Sequence, residues 1–255
     1  MFNSQKENFW ISKKVIWIIG GTSGIGLAIA KNLVTKGCQV IISGRDIEKT
    51  KNWQDKNLYQ IALDVNFHNQ WQEAIDKISQ IGLRVTNIIF AAGYYQPMNL
   101  ANFDCNIATN ILQTNLGSMV NLVDLICQNP NNLFCEGGEL VIISSVASYC
   151  GMKNSLFYGA SKAGLSHLAD SLAIELSAKN IRVRLVNPGF VATPMTAKNQ
   201  FKMPFIISAE EAANIIVAKL EKSAFEIAFP TLFTKMIRLF SYLPQKIRVM
   251  LFSKY

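Results

Sequence analysis

The stretch Val15-Ile-Trp-Ile-Ile19-Gly20-Gly21-Thr22-Ser23-Gly24-Ile25-Gly26, continuing as Leu27-Ala-Ile-Ala30, decides the architecture. Five apolar residues in a row suit a strand buried on both faces. A glycine turn breaks the run. Over residues 24–36, Ile25, Ala28, Ile29 and Leu33 then fall on one helical face. Strand, tight turn and helix together open a parallel α/β sheet. The alternation repeats along the chain. Residues 39–43, the end of a segment at 61–64, and residues 86–90, 139–144, 181–186 and 225–229 read as strands. Residues 69–81, 105–128, 157–179 and 209–222 read as helices. No repeat, low-complexity tract or linker divides them.

The turn has a chemical reading. A diphosphate must approach backbone N–H groups at a helix N-terminus, and glycine lets it come close. Gly20, Thr22, Ser23, Gly24, Ile25 and Gly26 are the candidate cradle, with hydroxyls from Thr22 and Ser23. The predicted fold is therefore α/β, a Rossmann-type doubly wound parallel β-sheet of about seven strands flanked by helices. One domain spans residues 1–230, and residues 231–255 form a basic amphipathic C-terminal extension. The second strand ends Ser43-Gly44-Arg45, with Ser43 and Arg45 as cofactor-binding candidates and no carboxylate to bind a ribose 2′-hydroxyl. A guanidinium suits a 2′-phosphate and stacks on adenine, which favours NADP(H) over NAD(H). A surface Arg45 paired with Asp46 is the alternative. Asp64 and Val65 close the third strand, where the carboxylate either reaches an adenine amino group or caps a helix.

Tyr158-Gly-Ala-Ser-Lys162 sets Tyr and Lys four apart at a helix start, hence on one face. An adjacent ammonium lowers a phenol pKa by favouring the phenolate, which makes Tyr158 a workable general acid or base. Lys162 also suits a ribose hydroxyl. Ser145, at the end of the fifth strand, can hold a substrate oxygen.

These residues form an ordered set that resembles the short-chain dehydrogenase/reductase family in its short single-domain form. The set is Gly20-x-x-x-Gly24-Ile-Gly26, Asp64-Val65, Ala92-Gly93, Asn115, Ser145, Tyr158-x-x-x-Lys162 and Asn187-Pro-Gly-Phe-Val-Ala-Thr193, covering roughly residues 14–230. The resemblance implies a catalytic tetrad. Asn115 would bend its helix and hold a water in a proton relay through Lys162. Ser145 would polarise the carbonyl, and Tyr158 would move the proton. Ala92 and Gly93 would line the cofactor. Pro188 and Gly189 would pass the nicotinamide, with Val191 and Thr193 at its carboxamide. The implied activity is hydride transfer between a carbonyl and a secondary alcohol, in a homodimer or homotetramer. Three positions depart from the family: Ile19 replaces a threonine, Phe90-Ala91 replaces two asparagines, and Ser23 stands where many NADP-dependent members have a basic residue.

Composition limits the rest. In 255 residues, half hydrophobic and 16% charged, disorder is excluded. Five cysteines without a C-x-x-C and only two histidines, His68 and His167, argue against a disulfide framework, a metal centre or a histidine triad. A reducing cytoplasm fits best. His167 lies two and a half turns beyond Tyr158, too far to act there, and Cys150 reads as loop filler. Met195, Phe201, Met203, Pro204 and Phe205 suggest a cover over an apolar substrate. The +8 net charge is uneven, since residues 227–255 hold five basic and no acidic side chains. Pro244 splits this tail into two helices, suited either to packing on protein or to peripheral membrane contact. No nucleic-acid module is readable. Two alternatives to the soluble enzyme remain: a non-catalytic dinucleotide sensor, and a membrane-associated reductase of lipid-type carbonyls.

Overall fold

The run Val15–Ile19 becomes a strand buried on both sides, and its residues divide between two cores. Ile16 and Ile18 face one layer of helices, while Val15, Trp17 and Ile19 face the other. The period-2 alternation of a strand thus explains why an unbroken apolar run is needed. The structure, a computed structural model, describes residues 14–129, 133–134, 138–222 and 224–253, with 252 and 253 as backbone only. Residues 1–13 of the expected domain, one of the five cysteines (Cys135) and residues 254–255 of the basic extension lie outside the described residues.

In chain order the elements are β1 (Val15–Ile19), α1 (Gly24–Thr35), β2 (Gln39–Gly44), β3 (Leu58–Ala62), α2 (His68–Gln80), β4 (Asn87–Phe90), α3 (Cys105–Leu112), α4 (Ser118–Gln128), β5 (Glu139–Ile143), α5 (Leu156–Ser177), β6 (Arg182–Pro188), β7 (Val191–Ala192), β8 (Ile207–Ser208), α6 (Ala209–Leu220), β9 (Glu226–Phe229), α7 (Thr231–Ser241) and α8 (Gln245–Ser253). Seven strands form one parallel sheet in the order β3-β2-β1-β4-β5-β6-β9. β7 and β8 pair separately. The strand order reverses between β1 and β4, and their carboxyl ends open a crevice there. α1 and α6 cover one face, and α2, α4 and α5 cover the other.

Two details differ from the sequence reading, and the two-helix tail agrees with it. The third strand ends at Ala62 and leaves Asp64 in the following loop. The helix expected over 105–128 contains a π turn, Gln113–Gly117, centred on Asn115. The tail makes two helices, with α7 burying Phe233, Thr234 and Ile237 against Val146 and Cys150.

Candidate active site

The glycine turn joins β1 to α1 beneath the crevice. Two of its glycines are required by the chain itself. A Cβ on Gly20 (φ +88°) would lie 2.5 Å from the Ala92 nitrogen, and one on Gly26 would lie 2.3 Å from the Gly20 carbonyl oxygen. So these glycines first let β1, α1 and the end of β4 close on one another, and closeness to a ligand follows from that. The Gly20 and Gly21 N–H groups donate to the Ser43 carbonyl, at 2.7 and 3.0 Å.

A cleft of about 1000 Å³, open mouth included, runs along these carboxyl ends. Gly20, Thr22, Ser23, Gly24, Ile25, Gly26, Arg45, Asp64, Val65, Ala92, Gly93, Tyr158, Lys162 and Thr193 all line it. Arg45 is exposed, and its neighbour Asp46 pairs with Lys49 (3.3 Å). The Asp64 carboxylate accepts from the Asn66 N–H (3.1 Å), and α2 begins after Phe67, so Asp64 is not its cap.

Several sequence candidates lie elsewhere. Ser43 is fully buried, and its hydroxyl accepts from the Trp17 indole (2.8 Å). The pleat of β2 turns Ser43 away from the cleft, and Gly44 and Arg45 take its place there. Pro188 ends β6, and Val191 is buried in the core, so neither lines the cleft. Gly189 lies at an adjoining hollow instead. Asn115 is fully buried. Its Oδ1 accepts from the Tyr94 N–H (2.6 Å), and its Nδ2 donates to the Tyr94 carbonyl (3.0 Å) and to Ser161 Oγ (2.9 Å). The side-chain amide braces the loop after β4 against α5.

The adjoining hollow, about 600 Å³ with its mouth, is lined by Tyr95, Ser145, Met152, Tyr158, Phe190, Met195, Asn199 and Phe201 among others. Sequence reasoning missed Tyr95, Met152, Phe190 and Asn199. Tyr95 stands two residues beyond the Ala92-Gly93 motif, which was a usable signal. It packs edge-on to Tyr158 (centroids 4.8 Å apart) and donates to Asn199 Oδ1 (2.7 Å). His167 is exposed, and Cys150 is buried against α7.

Electrostatically the site is a pair of buried groups. Burial pushes the Tyr158 phenol up to about 12, with a hydrogen bond from Ser145 pulling down and Tyr95 pushing up. Burial likewise pushes Lys162 down to about 8. The lysine ammonium donates to the Ile143 carbonyl (3.0 Å) and lies 5.9 Å from the Tyr158 ring centroid. The expectation of a lowered phenol is therefore reversed in the chain by itself. Desolvation disfavours both charged forms and outweighs an ammonium placed over the ring.

The chain matches the family model described as short chain dehydrogenase over residues 14–203. It belongs to that family. Among its relatives, a 3-oxoacyl-(acyl-carrier-protein) reductase FabG of Buchnera aphidicola is 28% identical, over 87% of this chain and 96% of the relative. Carbonyl reductase family member 4 of Danio rerio is 33% identical, over 71% and 76%. A solved short chain dehydrogenase from Burkholderia cenocepacia, crystallised with NADP, superposes with a TM-score of 0.81 at 20% identity, covering 94% of this chain and 98% of that one. An actinorhodin polyketide ketoreductase variant with NADPH gives 0.73 at 20% identity, over 85% and 95%. This short chain dehydrogenase is thus an oxidoreductase of the nicotinamide-dependent class.

Proposed function

We propose that the protein is an NADP(H)-preferring reductase of an apolar carbonyl compound, working through Ser145, Tyr158 and Lys162 with Asn115 as their brace. One observation carries this reading. The long cleft and the apolar hollow share Tyr158 and Met195, so a group in each would meet at the tyrosine. The cleft fits a dinucleotide: a glycine turn opens α1 at one end, no carboxylate stands at the end of β2, and Arg45 is there instead. The NADP and NADPH named for the two neighbours agree with that choice. When bound, the cofactor supplies or takes the hydride.

The residues supply position and the proton. The Ser145 hydroxyl lies in the hollow and holds the carbonyl oxygen. A phenol raised to about 12 is protonated at neutral pH, the form that donates to that oxygen when a carbonyl is reduced. Lys162 presents its ammonium to the cleft beside the tyrosine. Phe190, Phe201, Met152 and Met195 exclude water and select an apolar substrate. Replacing Tyr158 by phenylalanine should abolish carbonyl reduction and leave NADPH binding within about threefold of the parent, since one hydroxyl is lost and no cofactor charge contact. Turnover by Tyr158→Phe would sink the mechanism.

We also propose assembly through α4 and α5, where Val120 and Ile174 stand 70% and 71% exposed. A second reading adds a membrane surface. The outer faces of α7 and α8 expose Leu232, Leu239, Tyr242, Val249 and Met250 beside Lys235 and Lys246.

A further inference from the structure

One carboxylate grips both ends of the segment that carries Ser145. Glu226 begins β9, 81 residues beyond Ser145. Its Oε1 accepts from the Asn187 amide (2.8 Å) and from the Tyr149 hydroxyl. Its Oε2 accepts from the Arg238 guanidinium of α7. Asn187 in turn points its Oδ1 at the Ser145 N–H (3.1 Å). Tyr149 ends the short turn that Ser145 starts, and Arg238 also donates to its hydroxyl (3.0 Å) and stacks 4.9 Å from its ring centroid.

The chemistry of the carboxylate explains the arrangement. An ionised carboxylate only accepts hydrogen bonds, so it fixes the orientation of its partners. Facing Glu226, Asn187 must present its NH₂ there and its carbonyl oxygen to Ser145. A flipped amide would set donor against donor at the serine. Burial raises the Glu226 carboxyl, but hydrogen bonds from Tyr149, Asn187 and Arg238 outweigh it and hold the group below its ordinary value. The Arg238 charge keeps it ionised as well.

We propose that Glu226 and Arg238 form a clamp that positions Ser145, so that α7 is part of the catalytic apparatus. The proposal rests on the role given above to Ser145. These are positioning residues, since neither lines the cleft or the hollow.

The test uses the full chain with Glu226→Gln, Arg238→Met and Arg238→Lys. Glutamine keeps the shape but places a donor among donors. Amide hydrogen exchange over residues 145–149 should quicken about tenfold in Glu226→Gln and Arg238→Met, in keeping with the loss of a charged hydrogen bond. Carbonyl-reduction kcat should fall about ten- to a hundredfold, the range for a misplaced reacting group. NADPH binding and the melting transition should be retained, and Arg238→Lys should recover most of the loss. In a Ser145→Ala background, Glu226→Gln should cost nothing further. Tyr149→Phe, which removes one hydrogen bond to the same carboxylate, takes the place of any variant that fails to fold. Unchanged exchange over 145–149 in these variants would overturn the clamp. So would an equal loss of kcat with and without Ser145. Full turnover in Ser145→Ala alone would instead overturn the reading of the site, and the exchange measurement would still decide the clamp.

Discussion

At the scale of single residues, Lys162 shows how cost and use share an atom. Its ammonium is buried and its pKa is held at about 8 against an ordinary 10.5. Below pH 8 the folded protein carries a charge it would shed less readily when unfolded, and that destabilises it. As pH rises from 8 to 10.5 the unfolded chain binds more protons, so this penalty disappears. Lys162→Met should therefore stabilise the cofactor-free protein by about 1–3 kcal/mol at neutral pH, allowing for the lost bond to Ile143, and by nothing at high pH. Thermal melts across pH would check it. Reduction by the parent enzyme should decline as pH passes through about 8, where the lysine loses its proton. A flat kcat/KM profile there would argue against a role for the charge. At Arg45, substitution by glutamate should weaken NADPH relative to NADH by about ten- to a hundredfold, the range for a charged hydrogen bond. Paired titrations with both cofactors measure that. Much of this was legible in the sequence, because glycines, tyrosine and lysine recur at fixed spacings. The inward turn of Ser43 was not legible, because an apolar strand does not reveal which face a given residue takes. Only the pairing of β2 with β1, which brings Trp17 within 2.8 Å, decides it.

At the scale of elements, the sheet and its helices followed from periodicity, while the buried polar contacts between them did not. Arg184 is fully buried in β6. It binds Glu139 of β5, the Ala224 carbonyl (2.7 Å) and the Leu220 carbonyl at the end of α6 (3.1 Å). Sequence separations of 45, 40 and 36 hide this set from any motif. Arg184→Leu leaves Glu139 buried with its main partner gone and should cost about 3–5 kcal/mol. Chemical denaturation would show it. NADPH binding should persist under native conditions, because Arg184 does not line the cleft. A bend at Asn115 was expected only from resemblance, and the structure makes it a π turn. Its physical basis is visible in the structure, where the amide is pulled toward Tyr94 and Ser161.

At the scale of the molecule, the uneven charge found in the sequence takes a definite place. The basic tail packs inward through Phe233 and Ile237 and outward shows an apolar ridge, with Leu232, Leu239 and Tyr242 at 72%, 65% and 79% exposure. If this ridge meets anionic lipid, Leu239→Glu together with Tyr242→Glu should abolish cosedimentation with phosphatidylglycerol vesicles and leave turnover unchanged. Equal binding by parent and variant would remove the membrane reading. No helix among the described residues is long and apolar enough to cross a membrane. The clamp through Arg238 has a consequence for a shortened chain. A polypeptide ending just after Phe229 would carry every motif that identifies the family and keep the Glu226 bonds to Asn187 and Tyr149, yet lack the guanidinium that holds the other carboxylate oxygen. On the clamp proposal, the family's sequence motifs alone would then not suffice for full turnover, because a residue outside all of them, Arg238, steadies the serine.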